Sequence, residues 1–223
     1  MKAEIVPLPP SSERRPLHHR LLDLRGYERA DGLFDIEGRL VDTKSYPFDN
    51  RWRGRIEPGE PVHDMMLRLT VDEDLVVRRV EAVMDAAPFD LCPAITAAFG
   101  SLAGLRIGPG FNREVRRRVG GIRGCTHLVE LLPALATVAI QTIAPIAARR
   151  RRQRGEPEGD APPAHLDGCH ALRRDGPVVR THFPRWYRPV AEGEGALTRD
   201  SAGAQGAAPP AADPHPRRRQ GAG

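Results

Sequence analysis

Residues 65–84 read MMLRLTVDEDLVVRRVEAVM, and this stretch decides the fold. Met65, Leu67, Leu69 and Val71 alternate with Met66, Arg68 and Thr70, the two-residue period of a strand with one apolar face. Asp72–Asp74 supplies a turn, and Leu75–Met84 reads as the return strand. Strands wet on one face belong to antiparallel sheets, because the strands of a parallel sheet are covered on both sides.

Moving toward the N-terminus, LHHRLLDLRGYER is followed by Asp31–Gly32 and then by LFDIEGRLVDTKSY. A turn pair between two strand-like runs predicts a second hairpin within Leu17–Phe48. Residues 47–61 (PFDNRWRGRIEPGEP) read as a loop rich in turn formers.

Toward the C-terminus the period changes. Asp90 is placed to cap a helix over Leu91–Leu102, with Ile95, Ala98, Phe99 and Leu102 at helical spacing and Gly104 ending it. Asn112–Val119 reads as a short basic helix. Cys125–Ala148 reads as a long one, with Leu128, Leu131, Leu132, Leu135, Val138 and Ile143 on its apolar side. The expected fold is α+β: an antiparallel sheet of about four strands packed on one face by about three helices, with flexible termini.

Composition divides the chain further. Residues 1–16 carry four prolines and read as a flexible arm, residues 17–148 as the core domain, and residues 149–164 (RRRRQRGEPEGDAPPA) as a disordered linker. In residues 165–190, Phe183, Trp186 and Tyr187 predict a segment docked back on the core. Residues 191–223, mostly Ala, Gly and Pro, read as a disordered tail.

Charge narrows the function classes. The net charge is +5, yet residues 1–148 hold 20 basic and 20 acidic side chains, so the excess lies in residues 149–223. A neutral core argues against specific nucleic-acid binding, which needs a basic face on the folded module. Residues 1–10 lack the apolar run of an export signal. Leu131–Ala148, interrupted by Pro133, Pro145 and Gln141, reads as a buried helix rather than a membrane span. The expected location is the cytoplasm, where Cys92, Cys125 and Cys169 stay reduced and free to bind metal. Partners are unnamed at this level, with a protein partner or a homo-oligomer compatible with the sequence.

The residues able to do chemistry gather at element boundaries. His63–Asp64 opens the best strand, Cys92–Pro93 a helix, Cys125-Thr126-His127 the last helix, and Gly168-Cys169-His170 the C-terminal segment. A thiol at a helix start has a lowered pKa, and thiolate with imidazole suits zinc or an iron–sulfur cluster. His63, Cys92 and Cys125 are the candidate ligands, with Asp64, His127, Cys169 and His170 as candidates for the fourth position. Each cysteine also reads as an ordinary small apolar side chain. An alternative is a thiol-dependent enzyme, with Cys125 as nucleophile, His127 or His63 as base and the Gly120–Gly124 turn supplying N–H groups to an oxyanion. A second alternative is an interaction module that presents Phe183, Trp186 and Tyr187. Asp35, Glu37, Asp42 and Lys44 offer an acid/base pair, Asp35 with Glu37 on one strand face, but read better as a solvated sheet face; His18–His19 near Arg20 offer ligands at a strand start, but adjacent residues point to opposite faces.

The phrases RGYERADGLFDIEGRLVDTKSY, EPVHDMMLRLTVD, CPAI, GLRIGPGF, GGIRGCTHLVELL and GCHALRRDGPVV together resemble an uncharacterised bacterial family known as domain of unknown function 2889, over about residues 17–187. That resemblance implies no activity. More distantly, His63-Asp64, Cys92-Pro93-Ala94-Ile95 and Gly124-Cys125-Thr126-His127-Leu128 are similar in order to the U-type iron–sulfur cluster scaffolds. There Cys92 would match the second cysteine and Cys125 the third. The first cysteine has no counterpart, since His63-Asp64 stands near its place.

Overall fold

The turn Asp31–Gly32 closes the first hairpin. Gly32 N–H donates to Arg29 O, Arg29 N–H donates to Leu33 O, and Asp31 Oδ1 accepts from Leu33 N–H. The structure, a computed structural model, describes residues 12–156, 162–163 and 165–189. Most of the arm expected over residues 1–16, part of the 149–164 linker and the 191–223 tail lie outside the described residues. The chain divides into two compact units, Met1–Asp160 and Ala161–Gly223.

In the first unit, strands β1 (His18–Glu28), β2 (Phe34–Lys44), β5 (Pro61–Val71) and β6 (Val77–Ala86) form one antiparallel sheet in the order β1-β2-β5-β6. The strands β3 (Phe48–Asn50) and β4 (Gly54–Ile56) make a small separate hairpin where the composition predicted a loop. Asn50 organises it by accepting from the N–H groups of Trp52 and Arg53, and Ile56 is buried.

Side-chain alternation sorts the sheet into two faces. Phe34, Ile36, Leu40, Met65, Leu67, Leu69, Val71 and Val77 form the apolar face and are essentially fully buried. Arg68 reaches Glu37 and Glu81 across the other face, and Arg29 reaches Asp35. The face is wet, as its polar positions predicted, and is laced with ion pairs.

Three helical elements cover the apolar face. Cys92–Leu102 is a 3₁₀ helix rather than an α-helix; Leu91, not Asp90, stands at its N-cap, and no side chain caps it. Its buried residues, Phe99 and Leu102, are three apart, the spacing that lines up along one side of a 3₁₀ turn. Helix α1 (Phe111–Val119) buries Phe111, Val115 and Val119 and turns its arginines outward. Helix α2 (Thr126–Gln153) lies over β1 and β2, with Leu128, Leu131, Leu132, Leu135, Ala139 and Ile143 buried. Gly120 and Gly124 make the tight α1–α2 connection: a Cβ on either would fall about 2 Å from a carbonyl oxygen, that of Arg116 or Val119.

Helix α2 corrects one expected boundary. It continues through Arg149–Gln153, which composition assigned to the linker. Arg150 pairs with Glu28 and Glu73, and Arg151 with Asp74, so the arginine run anchors the last turns to the sheet end. Cations at a helix C-terminus also favour the dipole. By length and composition α2 could cross a membrane. Core helices pass the same test, and its leucine face packs against the sheet.

The second unit contains 3₁₀ turns at His170–Leu172 and Pro184–Trp186 and the short helix α3 (Pro177–His182). His165 packs edge-on against Phe183, and Arg174 pairs with Asp167.

Candidate metal centre

One end of the apolar face is polar. Arg20, Asp42 and His63 are directly paired across β1, β2 and β5 and therefore point to the same side. The first turn of α2 brings His127 and Glu130 over them.

Asp42 is the hub. Arg20 grips it with two parallel bonds, Nε to Oδ1 at 2.7 Å and Nη2 to Oδ2 at 2.8 Å. His18 Nε2 lies 3.1 Å from Oδ1, and His63 Nδ1 lies 3.0 Å from Oδ2. An ionised carboxylate only accepts, so both ring nitrogens facing it carry protons. Arg20 Nη1 also donates to Glu130 Oε2 at 2.5 Å. Burial works to raise the pKa of Asp42, whose side chain is 3% exposed, but the Arg20 hydrogen bonds and the charges of Arg20, His63 and His18 hold it down at about 2.

His127 completes the cluster. Its ring stacks on His63 with centroids 3.8 Å apart and planes tilted by 35°, and its Nε2 lies 3.9 Å from Asp42 Oδ2. Burial lowers the pKa of both histidines; His127 adds to this at His63, and Arg20 adds to it at His127. Near neutral pH the two stacked imidazoles beside a guanidinium are uncharged, because a second cation there is repelled; both are protonated in the acid range where Asp42 titrates. Among the described residues, Asp42, His63 and His127 form a group whose ligand atoms all lie within 4.8 Å of one another.

These shifts fix a pH dependence. In the unfolded chain the histidines take up protons below about 6.5, and Asp42 takes one up below about 3.9. The folded protein resists both until lower pH, so the contribution is complete above pH 6.5 and shrinks as the pH falls through these values. Asp42 accounts for about 2 kcal/mol of it, lost between roughly pH 4 and 2. Urea midpoints measured with chelator present should decline from pH 7 to 5 in the wild type and stay flatter in a His63→Phe/His127→Phe variant.

The sequence named His63 and His127, and the fold brings them together. Asp64, named with His63, turns to the opposite face, where Arg39 holds it at 2.8 and 2.5 Å; consecutive strand residues cannot share a face. Cys125 is the N-cap of α2, and its Sγ lies 3.8 Å from His127 Nδ1, on the far side of that ring from Asp42. Cys92 opens the 3₁₀ segment packed on the edge strand β6. Cys169, exposed, and His170 belong to the second unit. None of the three cysteines is in the Asp42–His63–His127 group, so the convergence of thiols implied by the scaffold resemblance does not appear in it.

Arg20 and Glu130 were missed as site residues, while Asp42 and His18 were set aside as strand residues with no shared site. A signal was present: Arg20 and Asp42 stand the same number of residues before and after Asp31 in the turn, so an unshifted hairpin must pair them.

Comparison with known proteins bears on the same stretch. No curated protein and no solved structure matches the chain. One family does, over residues 18–141, which is more than half of the chain and contains every residue of the polar cluster. The protein belongs to the family described as Protein of unknown function (DUF2889).

Proposed function

We propose that the protein binds a divalent transition-metal ion through Asp42, His63 and His127. The convergence of these three ligand atoms from β2, β5 and α2 within 4.8 Å carries the proposal. Tetrahedrally arranged ligands of an ion bound at about 2.0–2.2 Å lie roughly 3.3–3.6 Å apart. The separations of 3.0 and 3.9 Å from Asp42 Oδ2 to the imidazoles bracket that spacing.

Two nitrogens and one oxygen suit zinc or mononuclear iron(II), whereas an iron–sulfur cluster calls for thiolates. Charge supports the choice. Glu130 balances Arg20, the imidazoles are neutral, and the charge of Asp42 is left to attract a cation. The ion would replace the proton shared by His63 Nδ1 and Asp42 Oδ2. Cys125, against the other nitrogen of His127, would fix that ring's tautomer.

Zinc titration of chelator-stripped protein by calorimetry tests this. One equivalent should bind with proton release. His63→Gln and His127→Gln should each weaken binding at least about tenfold, and Cys92→Ser should leave it unchanged. Absence of binding by zinc and iron(II) would remove the proposal. Rapid, His127-dependent alkylation of Cys125 by iodoacetamide would then favour a second reading, supported by the 3.8 Å thiol–imidazole contact: a thiol-dependent enzyme with Cys125 as nucleophile and His127 as base.

A further inference from the structure

The two edges of the main sheet differ. β6 carries two register shifts in its pairing with β5, and the segment Cys92–Leu102 packs against it. Bulges and covering elements are the usual means of keeping an edge from pairing with another chain. β1 has neither. Its 11 residues pair with β2 without a shift, contain no proline or lysine, and are exposed along nearly the whole strand. Leu21, Leu22 and Tyr27 are 51%, 44% and 43% exposed there.

Its backbone polarity is also defined. Ser45 N–H donates to Leu17 O, and Arg29 N–H donates to Leu33 O. The odd-numbered residues of β1 therefore turn their N–H and C=O groups toward β2. The even-numbered residues, from His18 to Glu28, present theirs to the open edge.

We propose that β1 is a homodimerisation edge, on which a second copy of this chain pairs antiparallel about a two-fold axis at Leu24 and joins the two sheets into one. The charge pattern selects this register. On the wet face Asp23 stands opposite Arg25 of the second copy, and Leu21 stands opposite Tyr27, each twice by symmetry. These are non-hydrogen-bonded positions, where paired side chains come closest. On the helix-covered face Leu24 meets Leu24, Leu22 lies beside Gly26, and Arg20 faces Glu28. Hydrogen bonding requires even residues opposite even ones. The neighbouring symmetric registers that obey this rule set Asp23 against Asp23 or Arg25 against Arg25, and like charges directly opposite destabilise a pair.

Helix α2 supplies the apolar area that a strand pair lacks. It passes over β1, with Thr142 against Gly26, and carries no charge between Glu130 and Arg149. The two-fold axis sets α2 of the second copy alongside it, where the half-buried Ala134, Val138 and Thr142 become covered. The proposal does not depend on metal binding, although Arg20 near the end of this edge also belongs to the polar cluster.

Sedimentation equilibrium of the full chain over micromolar concentrations tests the proposal. The wild type should be a dimer. Asp23→Arg sets Arg against Arg, and Arg25→Asp sets Asp against Asp, so each should raise the dimer dissociation constant about tenfold or more. The double swap Asp23→Arg/Arg25→Asp restores opposite charges and should return the wild-type value. Both positions are solvent-exposed, and circular dichroism should read the same for all variants. A wild-type monomer, a dimer that neither single swap weakens, or a loss that the double swap does not repair would overturn it.

Discussion

Asp42→Ala should lower the free energy of unfolding by about 3 kcal/mol, the range seen when one partner of a buried ion pair is removed. Asp42 accepts four hydrogen bonds in the cluster, two from Arg20 and one each from His18 and His63. Truncation leaves the guanidinium with Glu130 alone and strands a proton on His63 Nδ1. Asp42→Asn should be nearly as damaging despite its matching shape, because its amide N–H groups would face donors. Urea denaturation monitored by tryptophan fluorescence reads the effect. A loss below about 0.5 kcal/mol, ordinary for a surface change, would mean that the network carries no weight. The same variants should bind no zinc.

Gly26→Ala should destabilise by about 2 kcal/mol, through overpacking. In an exposed strand this exchange normally helps, since glycine is a poor strand former. Here the added Cβ would fall 2.1 Å from Thr142 Oγ1 and 2.9 Å from both Thr142 Cβ and Cγ2. Rotating the threonine moves its oxygen and methyl but leaves its Cβ in the way, so α2 must lift from β1. Thr142→Ala removes two of the three obstructing atoms and should restore much of the loss in the double variant. Thermal denaturation of the four proteins decides: a stabilised single variant, or no rescue, contradicts the packing of α2 on this strand.

How much could be read in advance follows from the range of each interaction. Alternation in Met65–Val71 and the Asp31–Gly32 and Asp72–Asp74 turns are local, and both hairpins and the apolar face are as expected. The residues of the first polar loop formed a hairpin instead, because Asn50 can tie down a short turn that composition does not reveal. Cys92–Leu102 is 3₁₀, and its two buried residues, Phe99 and Leu102, are three apart, a spacing that the mixed 3–4 pattern of the sequence did not single out. The site was half legible. Its histidines stood out by type, while Asp42 and Arg20 looked like any solvated pair in a strand.

From the sequence by itself came the α+β class, the antiparallel hairpins, the long helix expected over Cys125–Ala148, and the choice of His63 and His127 by residue type. The class, the hairpins and the helix depend on contacts between residues near each other in the chain. Only the tertiary structure decided that Asp42 is buried, that Asp64 is turned away and that the cysteines stay outside the cluster. Those outcomes depend on strand register and on where α2 begins over the sheet. A shift of one residue in register moves a side chain to the other face, and no local pattern records which residues meet across the fold.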